Sequence, residues 1–325
     1  MHESSLIIDA YAGVPKDFKM VKYLPSMPPL CSAHLPWVSG FNGSQKEFIF
    51  HSLNRCMERV REIDWVIFNS FHHLEVENGG SVYPIGPLIP SALLNSNSRV
   101  ELEFGMGFWA EEGECLEWLD RQSRQSVTYV SFGSLSVLSE TQFQQLALGL
   151  EATERPFLWV VRSDLLQDSE AAFPPGFVER IHLSERGCLM SWCPQLRVLS
   201  HPSIACFLTH CGWNSALESI TMGVPMLCWP HFADQFLNQS YIVHVWKIGF
   251  SLLKDNTIST ADGTSTIDMS EIKSAVERVV TGEEGAEMKR RAMKLRESAI
   301  GAVKEGGSSY TNFRNFVNAM KTVKK

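Results

Sequence analysis

The chain has 325 residues, 44% of them hydrophobic, and carries a formal net charge of −7. This length accommodates two domains of roughly 100–200 residues each, with enough apolar material for a large core. The negative balance argues against a nucleic-acid or anionic-membrane partner. No apolar run approaches the roughly 18 residues that span a bilayer, so no stable membrane insertion is expected. Met1–Ala10 has neither the basic region nor the apolar core of a signal peptide. The eight cysteines are scattered without a CxxC pair, and several fall inside apolar strands. They read as reduced core residues of a cytoplasmic protein, not as a disulfide frame or zinc site.

In chain order, residues 1–30 are mixed, and Pro25, Pro28 and Pro29 interrupt regular elements. Asn42-Gly-Ser is a glycosylation sequon, as is Asn238-Gln-Ser further on; a cytoplasmic chain leaves both bare. Ser44–Val60 reads as a helix and Trp65–Asn69 as a short buried strand. Tyr83–Pro90 is extended and proline-punctuated, the pattern of a connection between domains. Asn95–Gly113 is polar, a loop pattern. The segment Gly105–Ala110 matches GxGxxA, but no apolar strand precedes it, so it lacks the context of a dinucleotide site.

From Cys115 the pattern is regular. A helix over Cys115–Arg121 precedes a strand over Val127–Phe132 that ends in Gly133-Ser134. Ser139 caps a helix reaching about Thr153, and strands follow at Phe157–Val161 and Cys188–Trp192. Ile204–Leu208 is a fully apolar run, the mark of a strand buried on both faces. Thr209, His210 and Cys211 end it, Gly212 allows a tight turn, and Trp213–Met222 has helical spacing. Val224–Trp229 and Ile248–Leu253 are further strands, and Lys254–Ile267 is polar. Asp268 with Glu271 forms a capping box. Helices run to the end, with Gly306-Gly307 separating the last two and Ser308 or Ser309 capping the final one. Alternation of strands and helices predicts an α/β fold with a parallel sheet and right-handed crossovers. Ligands of such sheets bind beyond the carboxyl ends of the strands, where Trp192, His210 and Asp234 all stand.

Strand, glycine turn and helix N-terminus together make an anion site, because unpaired backbone N–H groups and the helix dipole point at the ligand. Asn214, Ser215 and Glu218 share one face of that helix. His210 is by default a core histidine, but its place before the turn suits a phosphate contact. Asn214 and Ser215 also fit a simple N-cap pair. Ser134 is a weaker phosphate candidate at the end of the first regular strand. Trp192, at a strand end beside Gln195, suits a face that stacks on a base. Asp234 and Gln235 fit either helix caps or partners of sugar hydroxyls.

The stretch Trp192–Gln235 contains W-C-P-Q, H-P, T-H-C-G-W-N-S, E, G-V-P, P and D-Q in one ungapped series. It resembles the signature box of the plant UDP-dependent glycosyltransferases of family 1. The resemblance implies GT-B architecture, two Rossmann-like domains, here with an incomplete N-terminal domain and an intact C-terminal one. The implied division is residues 1–90 for the acceptor-side part, 91–114 for a linker, and 115–325 for the UDP-sugar domain. The last helix is expected to return to the N-terminal part. The resemblance further implies that Trp192 stacks on uracil, the Cys193 backbone reads the uracil edge, and Gln195 and Glu218 hold the ribose. His210, Asn214, Ser215 and Ser134 would hold the diphosphate. Trp213 would place a backbone amide on the sugar, and Asp234 and Gln235 would bind its hydroxyls, with Gln at the last position favouring glucose.

Inverting transfer needs a base for the acceptor hydroxyl. In the family a histidine near the N-terminus serves, oriented by an aspartate. His2, His34, His51, His72 and His73 lie in no such context, and His231 falls at a variable box position, so no catalytic residue is assigned. The expectation is a UDP-glucose-dependent O-glucosyltransferase acting on a small lipophilic plant metabolite, terpenoid or phenolic. It would lack the family's first strands, and with them the base, so turnover by this chain is expected at or near background. No metal or cofactor is expected, because no DxD pair is present to hold a cation on the diphosphate. A non-catalytic UDP-sugar-binding remnant is the alternative. A NAD-dependent dehydrogenase would rest on Gly105–Ala110 alone.

Overall fold

The structure, a computed structural model, describes residues 20–21, 27–60, 62–75, 82–94, 113–136, 138–161, 173–253 and 266–322. The expectations for His2, for Gly105–Ala110 and for most of Asn95–Gly113 and Lys254–Ile267 lie outside the described residues.

Six strands form one parallel sheet: β5 (Val127–Ser131), β6 (Phe157–Val160), β7 (Gly187–Met190), β8 (Ile204–Thr209), β9 (Met226–Cys228) and β10 (Gly249–Ser251). Their spatial order is β10-β9-β8-β5-β6-β7. The chain therefore runs outward from β5 to β7, returns to place β8 beside β5, and runs outward the other way. Parallel pairing requires a crossover between strands, and helices supply most of them. These are α4 (Glu140–Ala152), α5 (Phe177–Leu183), α6 (Gln195–Ser200), α7 (Trp213–Met222) and α8 (Gln235–Ser240). The reversal of direction between β5 and β8 opens a crevice at their carboxyl ends.

The apolar runs are continuous because both faces of the sheet are covered. Tyr129 and Phe207 join one core with Leu217 and Ile220 of α7, Leu119 of α3 (Glu114–Asp120) and Ala292 of α10 (Glu283–Val303). Val130, Cys206 and Leu208 join a second core with Leu146 of α4 and Ile272 of α9 (Met269–Thr281). A register shift skips Ala205 between the pairs Val127↔Ile204 and Thr128↔Cys206. This bulge explains how Ile204 and Phe207, an odd number of residues apart, share a face. The reciprocal caps expected at Ser139/Gln142 and Asp268/Glu271 are both formed.

Residues 20–94 add smaller pieces. β1 (Met20–Val21) pairs antiparallel with β2 (Leu30–Cys31), and α1 (Gly43–Val60) buries none of its residues. Asn42 caps α1: its Oδ1 accepts the Gln45 N–H at 3.1 Å, and Gln45 Oε1 accepts the Asn42 N–H at 3.0 Å. The run Tyr83–Pro90 is not merely a connection, because β4 (Val82–Pro84) pairs in parallel with β3 (Val66–Phe68). A three-residue strand ending in proline is too short to show alternation in sequence. The chain passes through a cis Gly86–Pro87 bond to α2 (Ser91–Leu94). The final helix, α11 (Ser308–Thr322), returns to this part: Asn312 Nδ2 donates to the Pro84 carbonyl at 2.9 Å, and Phe316 lies 5.9 Å from Trp65. The Thr311 N–H bonds to the Gly307 carbonyl, so Gly307 stands at the cap and Ser308 already lies inside the helix.

Leu30, Leu35 and Val38 pack with Phe236 of α8, and the His34 ring stacks on Phe236 at 4.1 Å. Burial pushes the His34 imidazole down from its ordinary 6.5 to about 4. The unfolded chain thus takes up this proton first, and stability falls as pH drops from 6.5 towards 4. The variant His34→Phe keeps the stack and removes the proton. Its urea midpoint should gain on the parent progressively from pH 7 to pH 4; a pH-independent difference would contradict the buried neutral histidine.

Gly149 sits in α4, where glycine costs about 1 kcal/mol relative to alanine. Its place is explained by α9, since a Cβ there would stand 2.8 Å from the Ile272 Cβ and 3.0 Å from the Met269 carbonyl oxygen. Gly149→Ala should therefore destabilise, by about 1–3 kcal/mol, in equilibrium urea unfolding. A gain in stability would show that α4 and α9 do not approach so closely.

Candidate nucleotide-sugar site

The crevice at the β5/β8 switch is a cavity of about 360 Å³. Its floor is the end of β5, with Tyr129, Ser131, Gly133 and Ser134. One wall is Trp192–Arg197, after β7. The other is His210, Gly212, Trp213, Asn214, Ser215 and Glu218, and Pro90 and Leu93 also line the cavity. Nine predicted residues thus meet on one cavity: Ser134, Trp192, Cys193, Gln195, His210, Trp213, Asn214, Ser215 and Glu218.

The turn between β8 and α7 differs from its sequence reading. Gly212 has φ −58°, an ordinary value, and the left-handed residue is Cys211 at φ 66°. Glycine is required at 212 for space: a Cβ would stand 2.5 Å from His210 Nε2. Gly133 faces the same ring from β5, at 2.8 Å, and itself has φ +69°. Asn238 Nδ2 braces the strained turn by donating to the Cys211 carbonyl at 2.9 Å. Asn238 is buried, so its sequon is not available to a glycosylating enzyme in the folded chain.

The N-cap reading of Asn214 and Ser215 does not hold. The cap position is Gly212, which has no side chain, and Asn214 and Ser215 lie within the first turn. The leading N–H groups of α7 therefore stay available at the cavity wall. His210 lies beside them. Burial pushes it from 6.5 to about 4 against the opposing influence of Asp234, so at neutral pH it is an uncharged hydrogen-bonding group. Its Nδ1 has no partner of good geometry among the described residues. His210 therefore adds no positive charge, and the end of α7 supplies positive potential beside it.

Opposite, the side chains form a network. Gln195 Nε2 donates to Glu218 Oε2 at 2.6 Å and to Ser215 Oγ at 3.0 Å. Tyr129 Oη donates to Gln195 Oε1 at 3.1 Å and lies 3.2 Å from Cys193 Sγ. Burial raises the Glu218 carboxyl above its ordinary value, and the bond from Gln195 offsets part of that rise. Trp213 turns its indole away from this network and donates from Nε1 to the Asn69 carbonyl at 2.8 Å, tying residues after β3 to the start of α7.

Asp234 and Gln235 stand apart from the cavity wall. Gln235 is buried, and its Oε1 accepts the N–H groups of His231 (2.8 Å) and Phe232 (3.1 Å). Asp234 is exposed and accepts from Asn238 Nδ2 at 2.8 Å. His231 is also neutral, pushed to about 4 by burial and by His210. Sequence reasoning missed Tyr129, Pro90 and Leu93. The first reads as a core aromatic, and the others fell in a presumed connection and linker. Among the described residues no group of three or more His, Cys, Asp or Glu side chains is placed to hold a metal ion, and no helix is long and apolar enough to cross a membrane.

The sequence model of the family described as UDP-glucoronosyl and UDP-glucosyl transferase matches residues 110–297. UDP glycosyltransferase 9 of Catharanthus roseus is 38% identical over 91% of this chain and 62% of its own length. Mogroside I-E synthase of Siraitia grosvenorii is 39% identical over 92% and 64%. The chain thus spans somewhat less than two thirds of these relatives. Among solved structures, UGT2 of Phytolacca americana, complexed with UDP-2fluoro-glucose and pterostilbene, superposes with a TM-score of 0.78 at 31% identity. That match covers 98% of this chain and 68% of the other. Os79 of O. sativa, in complex with UDP, gives 0.69 at 32% identity over 85% and 58%. The fold is accordingly GT-B, with the six-stranded sheet as one of its Rossmann-like units. The chain belongs to the UDP-glucoronosyl and UDP-glucosyl transferase family, and within it groups with the plant family 1 glycosyltransferases.

Proposed function

We propose that the chain is the UDP-sugar-binding part of a UDP-glucose-dependent glycosyltransferase that O-glucosylates a small lipophilic plant metabolite with inversion. The observation that carries this reading is the cavity at the β5/β8 switch. It combines an aromatic residue at a strand end (Trp192), an amide–carboxylate pair (Gln195, Glu218) and an uncapped helix N-terminus (α7). These suit a base, a ribose diol and a diphosphate respectively. In this reading Trp192 stacks on uracil, the Cys193 backbone reads its edge, and Gln195 and Glu218 hold the ribose. The amides of Trp213, Asn214 and Ser215, with neutral His210 and Ser134, receive the diphosphate as it departs. An acceptor hydroxyl attacks the anomeric carbon and displaces UDP, its proton passing to a general base that is assigned to no residue of this chain. Stabilisation of the leaving UDP is the electrostatic part of the catalysis. Asp234 and Gln235 bind the sugar hydroxyls, Gln235 through its Nε2, since its oxygen is already engaged. The reaction is metal-free and cytoplasmic, and the units divide at 1–90, 91–114 and 115–325.

A specific observation favours the alternative of a binding part without turnover of its own. Among the described residues, His210 is the histidine that lines the cavity, and it sits at the phosphate end. His51, His72 and His73 are exposed, and His34 is packed against Phe236. General-base assistance is worth typically about 10²–10⁴-fold. The 325-residue chain should therefore bind UDP-glucose yet glucosylate phenolic and terpenoid acceptors near background by mass spectrometry. Robust turnover would identify a base within this chain, with His231 the first to replace.

Calorimetry tests the donor site. UDP should bind with EDTA present, and Trp192→Ala should weaken it by about 1–3 kcal/mol. A strict need for magnesium or manganese, or an unchanged affinity in the variant, would contradict the metal-free stacking site. Asp234→Ala and Gln235→Ala should spare UDP but reduce the preference for UDP-glucose over UDP. Loss of UDP itself in both would make these residues structural.

A further inference from the structure

Tyr129 is buried in the central strand of the sheet, with its ring stacked on Phe207 at 4.7 Å. Its hydroxyl emerges on the cavity floor between Cys193 Sγ and Gln195 Oε1. A phenol has one proton. When it goes to Gln195 Oε1, the Cys193 thiol is left to donate to the phenol oxygen, making a directed chain. The Gln195 amide is thereby fixed in one sense. Turned over, its carbonyl would face the Glu218 carboxylate, acceptor against acceptor, and the phenol would lose its acceptor on Gln195. In the fixed sense both Nε2 protons are used, on Glu218 Oε2 and Ser215 Oγ. Glu218 Oε1 has no hydrogen bond among the described residues and remains for a ligand.

We propose that Tyr129 is a positioning residue of the ribose subsite: through Gln195 it orients Glu218 so that one carboxylate oxygen is presented to the vicinal hydroxyls of a nucleotide ribose. This rests on the nucleotide reading given above. Burial pushes the phenol well above its ordinary value, so the hydroxyl stays a donor across the working pH range. The bond from Gln195 offsets part of the effect of burial on Glu218, which favours the ionised form able to accept from hydroxyls.

The test compares UDP with 2′,3′-dideoxy-UDP by titration calorimetry on the full chain. Tyr129→Phe removes only the hydroxyl and keeps the stack on Phe207, and its thermal midpoint shows whether it is folded. The parent should prefer UDP, and the variant should lose about three- to tenfold of that preference while its affinity for dideoxy-UDP is unchanged. In a Gln195→Ala background the same change should have no further effect on the preference, because the hydroxyl acts through Gln195. Equal loss for both nucleotides, an unchanged preference, or a full effect without Gln195 would each overturn the positioning role and leave the nucleotide reading standing. Failure of the parent to bind UDP would overturn that reading and this inference together.

Discussion

The imidazole of His210 lies between two glycines, Gly133 after β5 and Gly212 before α7, with no room for a Cβ on either. This contact holds the ends of two adjacent strands at one level. It also starts α7 immediately after the turn, with Cys211 taking the left-handed conformation. The helix N-terminus is therefore delivered uncapped to the crevice between β5 and β8. Because burial keeps His210 neutral, the site offers an anion hydrogen bonds and the helix dipole, and no fixed positive charge on His210. Such a site can release a diphosphate as well as bind one.

Much of the sheet was legible in sequence because its strands are covered on both faces. Ile204–Leu208 reads as an unbroken apolar run for that reason, and Val127–Phe132 reads as a strand although it contains Thr128 and Ser131, which are buried with it. The bounds of α7 were legible because glycine flanks it on both sides, with Gly223 in the left-handed conformation at its C-cap. β4 was not legible. Its three residues end in Pro84, and its pairing with β3 is a tertiary fact that no local pattern records. The function of Gly212 was misassigned for a related reason. Sequence shows that a glycine is present, but whether it serves conformation or close approach depends on where His210 points.

The candidate site divides in the same way. Trp192, Gln195 and His210 were marked by their types at strand ends, Glu218 by the helix face it shares with Asn214, and Cys193 by the resemblance alone; the fold brings all five onto one cavity. Tyr129 was hidden, since a lone tyrosine between Thr128 and Val130 reads as core until its hydroxyl is seen beside Gln195. Pro90 and Leu93 reach the cavity from outside the sheet, and the staple from Trp213 to Asn69 binds the two parts of the chain there. Asp234 and Gln235 were marked by type, but their side chains are engaged around the loop before α8. Asn238 has its side chain committed to Cys211 and Asp234.

The central claim is that a nucleoside diphosphate occupies the β5/β8 crevice. Amide hydrogen exchange of the 325-residue chain, with and without UDP, tests it most directly. The account predicts added protection at the ends of β5 and β7 and through the first turn of α7, with Trp213–Ser215 changing most. Protection confined to Gly105–Ala110, or none at the start of α7, would contradict it.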